Sequence, residues 1–149
     1  MKVIRIIATI LVSVSMAFIL ACSEEKTASL EGNEDIAAVL QKLPECLNNP
    51  ETINEIYTDD ALLKYQDRHT GKMNELSGSK AIGKVRKEIG INENWTKVSI
   101  NKIDRKADIA HVNYKITTDN RGNKLVFNGS AEMVKQGQTW KIKEETIKW

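Results

Sequence analysis

Apolar and polar residues alternate with a period of two along the second half of the chain. Ala110, Val112, Tyr114 and Ile116 alternate against Ile109, His111, Asn113 and Lys115. Leu125, Phe127, Gly129, Ala131 and Met133 alternate against Val126, Asn128, Ser130, Glu132 and Val134. This is the pattern of strands that turn one face to a core. The flanking segments, WTKVSINKIDRK and TWKIKEETIKW, break phase: Val98 and Ile100 give way to Ile103, and Trp140 and Ile142 to Ile147 and Trp149. Paired phase breaks predict β-bulges, which bend a sheet sharply. Polar turns at 105–108, 119–123 and 136–138 separate four strands.

The first half carries helical spacing instead. Asn33 is placed to cap a helix whose first turn holds Glu34 and Asp35, favourable at the positive end of the helix dipole. Ile36, Val39, Leu40, Leu43 and Leu47 form its apolar stripe, and Pro44 should kink or split it. Asn49-Pro50-Glu51 starts a short second helix to about Tyr57, with Ile53, Ile56 and Tyr57 inward, and Thr58-Asp59-Asp60 ends it. A strand from Ala61 to Gln66, a polar loop from Asp67 to Lys72 and a short return strand near Met73 to Leu76 follow. Ser77-Gly78-Ser79 opens a third helix with Ala81, Ile82, Val85 and Ile89 inward, and Gly90 is placed to end it.

Helices first, then a curled, mostly antiparallel sheet with one apolar face, is an α+β order. With its kinked first helix, Tyr57-Thr58-Asp59-Asp60-Ala61-Leu62, Gly78-Ser79-Lys80-Ala81-Ile82 and the ending Gly137-Gln138-Thr139-Trp140-Lys141-Ile142, the chain resembles the nuclear-transport-factor-2-like (NTF2-like) superfamily, which includes SnoaL-like and ketosteroid-isomerase-like domains. The resemblance covers roughly residues 34 to 149. It implies a cone in which N-terminal helices pack on a strongly bent sheet, with a pocket at the open end. It implies no single activity, because the superfamily holds isomerases and cyclases beside non-catalytic binding and dimerisation modules.

Residues 1–21 read as an address. Lys2 and Arg5 precede an apolar run from Ile6 to Ala21, too short and too abruptly ended for a comfortable membrane span. It closes on Ile19-Leu20-Ala21-Cys22, which resembles the bacterial lipoprotein box. The resemblance implies cleavage before Cys22 and acylation of its thiol and new amino group, and several acyl chains on one residue anchor stably where one does not. Residues 22–33, polar and aperiodic, read as the lipidated cysteine and a flexible tether, and residues 34–149 as the folded domain. The expected location is the cell envelope: the outer membrane in a Gram-negative host, with surface exposure open.

Loss of Lys2 and Arg5 changes the charge picture. The full chain has 22 basic and 20 acidic residues, and the mature chain would be near neutral. That balance argues against nucleic acid, which needs clustered positive charge. A lipidated Cys22 leaves Cys46, on an apolar helix face, as a small buried hydrophobe rather than a reactive thiol.

Candidate chemistry is sparse. Two histidines and no paired cysteines give little stock for a transition-metal site, and no phosphate-cradling glycine loop or serine nucleophile motif occurs. No catalytic residue, metal ligand or cofactor is therefore assigned. His69 is expected in an exposed loop and His111 on the outer sheet face. Tyr57, Tyr65 and Tyr114 could donate hydrogen bonds, but the inward faces of the second and third strands carry no acid to pair with them. Asp59 and Asp60 belong at a corner, where short acids satisfy backbone donors, and Glu144 is the acid that could turn inward past the last bulge. Tyr57, Tyr65, Trp95, Tyr114, Phe127 and Trp140 are the candidate pocket walls, or else simply fill the cone. Outward Ile109, Val126 and Val134 suggest a homodimer through the outer sheet face. The function expected is a non-catalytic module binding a small apolar ligand or a protein; the alternative is a small isomerase, cyclase or dehydratase acting on an apolar substrate.

Overall fold

The computed structural model describes residues 30–47, 49–92, 94–120 and 122–149, with residues 47, 50, 88–92, 94–96 and 120 given by backbone course alone. The leader, Cys22 and the side chain of Trp95 lie outside the described residues.

The first helix, α1 (Glu34–Gln41), ends just before Pro44, and the chain continues as a 3₁₀ turn over Leu43–Leu47. Proline thus splits the helix, as its missing donor requires. Asn33 does not cap it through its side chain; instead Glu34 Oε1 accepts from the Gly32 N–H at 3.1 Å and Asp35 Oδ1 from the Ile36 N–H at 2.9 Å. Ile36, Leu40 and Leu43 are fully buried, and Leu30 packs half-buried against the same core. Asn49 Oδ1 accepts from the Glu51 N–H at 3.2 Å, and a 3₁₀ turn over Pro50–Thr52 leads into the one-turn helix α2 (Ile53–Ile56).

The strand β1 spans Tyr57–Gln66, so Tyr57 and the Thr58-Asp59-Asp60 segment are extended rather than the end and break of a helix. The cause is tertiary: Tyr57 pairs in parallel with Ile142, and the pairing shifts register before Leu62. Asp59 and Asp60 are exposed. The strand β2 (Met73–Ser77) returns antiparallel, and α3 (Ser79–Asn92) follows. This helix runs through Gly90 instead of ending there.

Four long strands complete the fold: β3 (Asn94–Lys106), β4 (Ile109–Asn120), β5 (Asn123–Gln136) and β6 (Thr139–Lys148). They join β1 and β2 in one six-stranded sheet of order β2-β1-β6-β5-β4-β3, antiparallel except for β1 with β6. The expected bulges are present. The β3–β4 register shifts between Ile100 and Lys102, and opposite Glu132–Met133 the strand β6 carries Lys143 as an extra residue. Ala110, Val112, Tyr114 and Ile116 of β4, and Phe127, Ala131 and Met133 of β5, are buried under the helices. The result is a curved α+β sheet wrapped on α3 and the N-terminal helices.

On the outer face, Ile109 is 46% and Val126 51% exposed, but Ile109 faces Val134 while Val126 sits far along the ladder opposite Thr117. His111, Asn113, Asn128 and Ser130, all exposed, lie between them, so the outward apolar side chains do not join into one patch. Cys46 is fully buried and takes the Thr52 hydroxyl on its sulfur at 3.7 Å. Burial pushes its thiol above the usual range, as expected of a structural cysteine.

Candidate functional site: a sealed carboxylate beneath an aromatic mouth

The bulge at Lys143 decides what the interior contains. Before it, Trp140 and Ile142 face inward; after it the phase is reversed, and Glu145, Ile147 and Trp149 take the inward side. A one-residue shift flips every side chain that follows it. Glu144 therefore turns outward, where its Oε1 pairs with Lys64 Nζ at 2.6 Å on a half-exposed surface. Glu145 is the acid inside, with no exposed surface.

Three donors converge on Glu145. The Tyr57 hydroxyl donates to Oε2, the Tyr114 hydroxyl donates to Oε1, and Arg86 Nη2 donates to Oε2 at 2.5 Å. Arg86 Nη2 also donates to the Tyr57 hydroxyl oxygen at 2.6 Å, and its guanidinium lies 5.9 Å from the centre of the Tyr57 ring. Arg86 reaches this point from α3, one turn beyond the buried Ile82, so both share one helix face. Burial, the largest single effect, would depress the guanidinium, but the negative charge of Glu145 and its hydrogen bond, together with the Tyr57 and Tyr114 oxygens, hold Arg86 above its ordinary value. Burial drives both tyrosines well above the usual phenol range, with Glu145 adding to the effect and Arg86 opposing it. Tyr57 and Tyr114 are thus neutral donors. Each carboxylate oxygen is engaged, as an ion pair held out of water requires.

Gly129 makes room for this arrangement. It faces Tyr114 across β4–β5, and a Cβ there would lie 2.3 Å from Tyr114 Cε2. The Tyr114 ring lies over the glycine, and its hydroxyl reaches Glu145.

Above the sealed cluster, a cavity of about 260 Å³ opens at the mouth of the cone. Leu63, Tyr65, Phe127, Ile147 and Trp149 form its apolar walls, Arg86 its floor, and the loop after β1 its rim. The Phe127 and Trp149 rings are tilted 49° with centroids 4.0 Å apart. Trp149 is held by Gln66, whose side-chain oxygen accepts from its backbone N–H at 3.3 Å and whose carbonyl accepts from its indole N–H at 3.0 Å.

Of the six aromatic candidates, Tyr65 and Phe127 line the cavity. Tyr57 and Tyr114 lie beneath it as donors to Glu145. Trp140 is fully buried beneath α1, its indole N–H donating to Asp35 Oδ2 at 2.8 Å, with Arg105 stacked 5.0 Å from its ring. His69 is exposed as expected, yet stands on the rim, and His111 lies on the outer face. Arg86, Glu145 and Trp149 escaped the sequence reading as site residues. The helical spacing Ile82–Arg86 and the phase reversal after Ile142 were the available signals.

The chain has the NTF2-like fold. A Silicibacter pomeroyi protein described as NTF2-like and of unknown function superposes with a TM-score of 0.62 over 80% of this chain and 97% of its own, at 13% identity. An NTF2-like protein of unknown function from Shewanella baltica gives 0.60 over 81% and 95%, at 17% identity. A Nostoc punctiforme protein of unknown function, described as having a cystatin-like fold, gives 0.64 over 81% and 92%, at 14% identity. No family model and no curated protein sequence matches the chain. At these identities the likeness establishes the NTF2-like fold and carries no activity with it.

Proposed function

We propose that this chain is a lipid-anchored protein of the bacterial cell envelope, held in a membrane through acylated Cys22. Its NTF2-like domain takes a small apolar ligand at the mouth of the cone and does no chemistry on it. The observation that carries the ligand reading is the cavity of about 260 Å³ walled by Leu63, Tyr65, Phe127, Ile147 and Trp149. An apolar concavity with a few polar groups at floor and rim is the usual form of a small-molecule site. Its size, on the order of nine waters at about 30 Å³ each, suits a single ring or a short chain.

The isomerase or cyclase reading has one observation in its favour: Glu145 with Tyr57 and Tyr114 supplies an acid and two phenol donors. Their placement argues for a structural role. A general base must come within hydrogen-bond reach of the proton that it removes, whereas Glu145 is wholly buried with its oxygens bonded to protein donors.

Two measurements test the proposal. Fatty-acid labelling of the full chain in a bacterial host should mark the protein and be lost in Cys22→Ser; label that persists in the variant would refute the anchor. Toluene should raise the thermal midpoint of the purified protein, and Ile147→Phe, which fills part of the cavity, should abolish the shift. A shift untouched by that substitution would move the ligand elsewhere.

A further inference from the structure

The rim of the cavity adds a charge that the apolar walls do not explain. Arg68, exposed at the mouth, lies 5.0 Å from the centre of the Trp149 ring. Stacking on an indole is a favourable seat for a guanidinium, and it leaves the planar fork of donors open to an oxyanion. No carboxylate pairs with Arg68 among the described residues. The neighbouring acid is committed: Asp67 Oδ1 accepts from the N–H groups of His69 and Thr70 and from the Thr70 hydroxyl, at 2.7 to 2.9 Å. Those bonds, the backbone N–H of Thr70 first, hold the Asp67 carboxyl below its usual range. On the floor, Arg86 is balanced by Glu145. The groups at the mouth that can donate to a ligand's polar end are therefore the Arg68 fork and the adjacent His69, while Asp67, which lines the same rim and stays ionised, is an opposing charge beside them.

We infer that the mouth of the cone selects a compact aromatic monocarboxylate, its ring against Phe127 and Trp149 and its carboxylate on Arg68. The inference rests on the pocket reading above and adds the ligand's charge. Arginine suits this role because its fork matches a carboxylate in two parallel hydrogen bonds. The aromatic walls accept a flat ring, and a volume of about 260 Å³ suits a single one.

Calorimetric titration of the full chain in detergent with 3-phenylpropionate, its neutral amide and the corresponding amine tests this directly. The acid should bind at least about tenfold more tightly than the amide, the gain expected of a charge-assisted hydrogen bond, and the amine should bind most weakly. Arg68→Gln should lower acid affinity to that of the amide and leave the amide unchanged. Equal binding of acid and amide, or preference for the amine, would overturn the anion assignment while leaving the apolar pocket in place. Binding of none of the three would overturn the pocket reading together with it.

Discussion

Arg86 Nη2 and Glu145 Oε2 meet at 2.5 Å in the centre of the cone, with 1% and 0% of their side chains exposed. Removing one member of a buried pair strands the other charge, at a cost of about 3–5 kcal/mol, whereas replacing both by apolar groups of similar size is often neutral or better. Urea unfolding should therefore show Arg86→Met and Glu145→Leu each strongly destabilised, with the double variant more stable than either. Losses that simply add would mean that the two residues act independently.

The contact between Tyr114 and Gly129 predicts a second loss. A Cβ 2.3 Å from the Tyr114 ring cannot be accommodated without moving that ring away from Glu145. Gly129→Ala should destabilise by about 1–3 kcal/mol or more, as overpacking does. Tyr114→Phe/Gly129→Ala should recover little, since the ring still fills the space. An unchanged urea midpoint in Gly129→Ala would contradict the geometry.

Tyr57 and Tyr114 give the fold an alkaline limit. Their acidities are weakened in the folded state relative to the ordinary value of 10.0, chiefly by burial. A group whose folded pKa is raised contributes stability fully below its unfolded pKa and loses it as the pH climbs toward the folded one. Stability should hold up to about pH 10 and then fall. The decline should be shallower in Tyr57→Phe, where one fewer proton is released on unfolding. Phenolate absorbance from these two rings should appear only with unfolding; their free titration in the native protein would contradict the sealed cluster.

The split of the first helix at Pro44, the inward faces of β4 and β5 and the bulges of β3 and β6 were legible in the sequence, because each is a local consequence of residue type. The site was less so. Glu145 and Glu144 differ by one position, and only the location of the extra residue at Lys143 decides which faces in. Arg86 shares the helix face of Ile82, but its role depends on a partner 59 positions away that no local pattern points to. Tyr57 sits where helical spacing runs on, yet a parallel pairing with Ile142 makes it the first residue of a strand. Each miss is a case of tertiary pairing overriding a local pattern.

The central claim, that a ligand enters at the mouth above a sealed cluster, is tested most directly by the indole resonances of two tryptophans. Trp149 stands in the wall of the cavity, whereas Trp140, nine residues earlier in β6, is buried under α1, on the order of 25–30 Å away at about 3.3 Å per residue. Titration of the ¹⁵N-labelled protein with 3-phenylpropionate should shift the Trp149 indole N–H and leave that of Trp140 in place. A shift at Trp140 without one at Trp149, or no shift at either, would contradict the account.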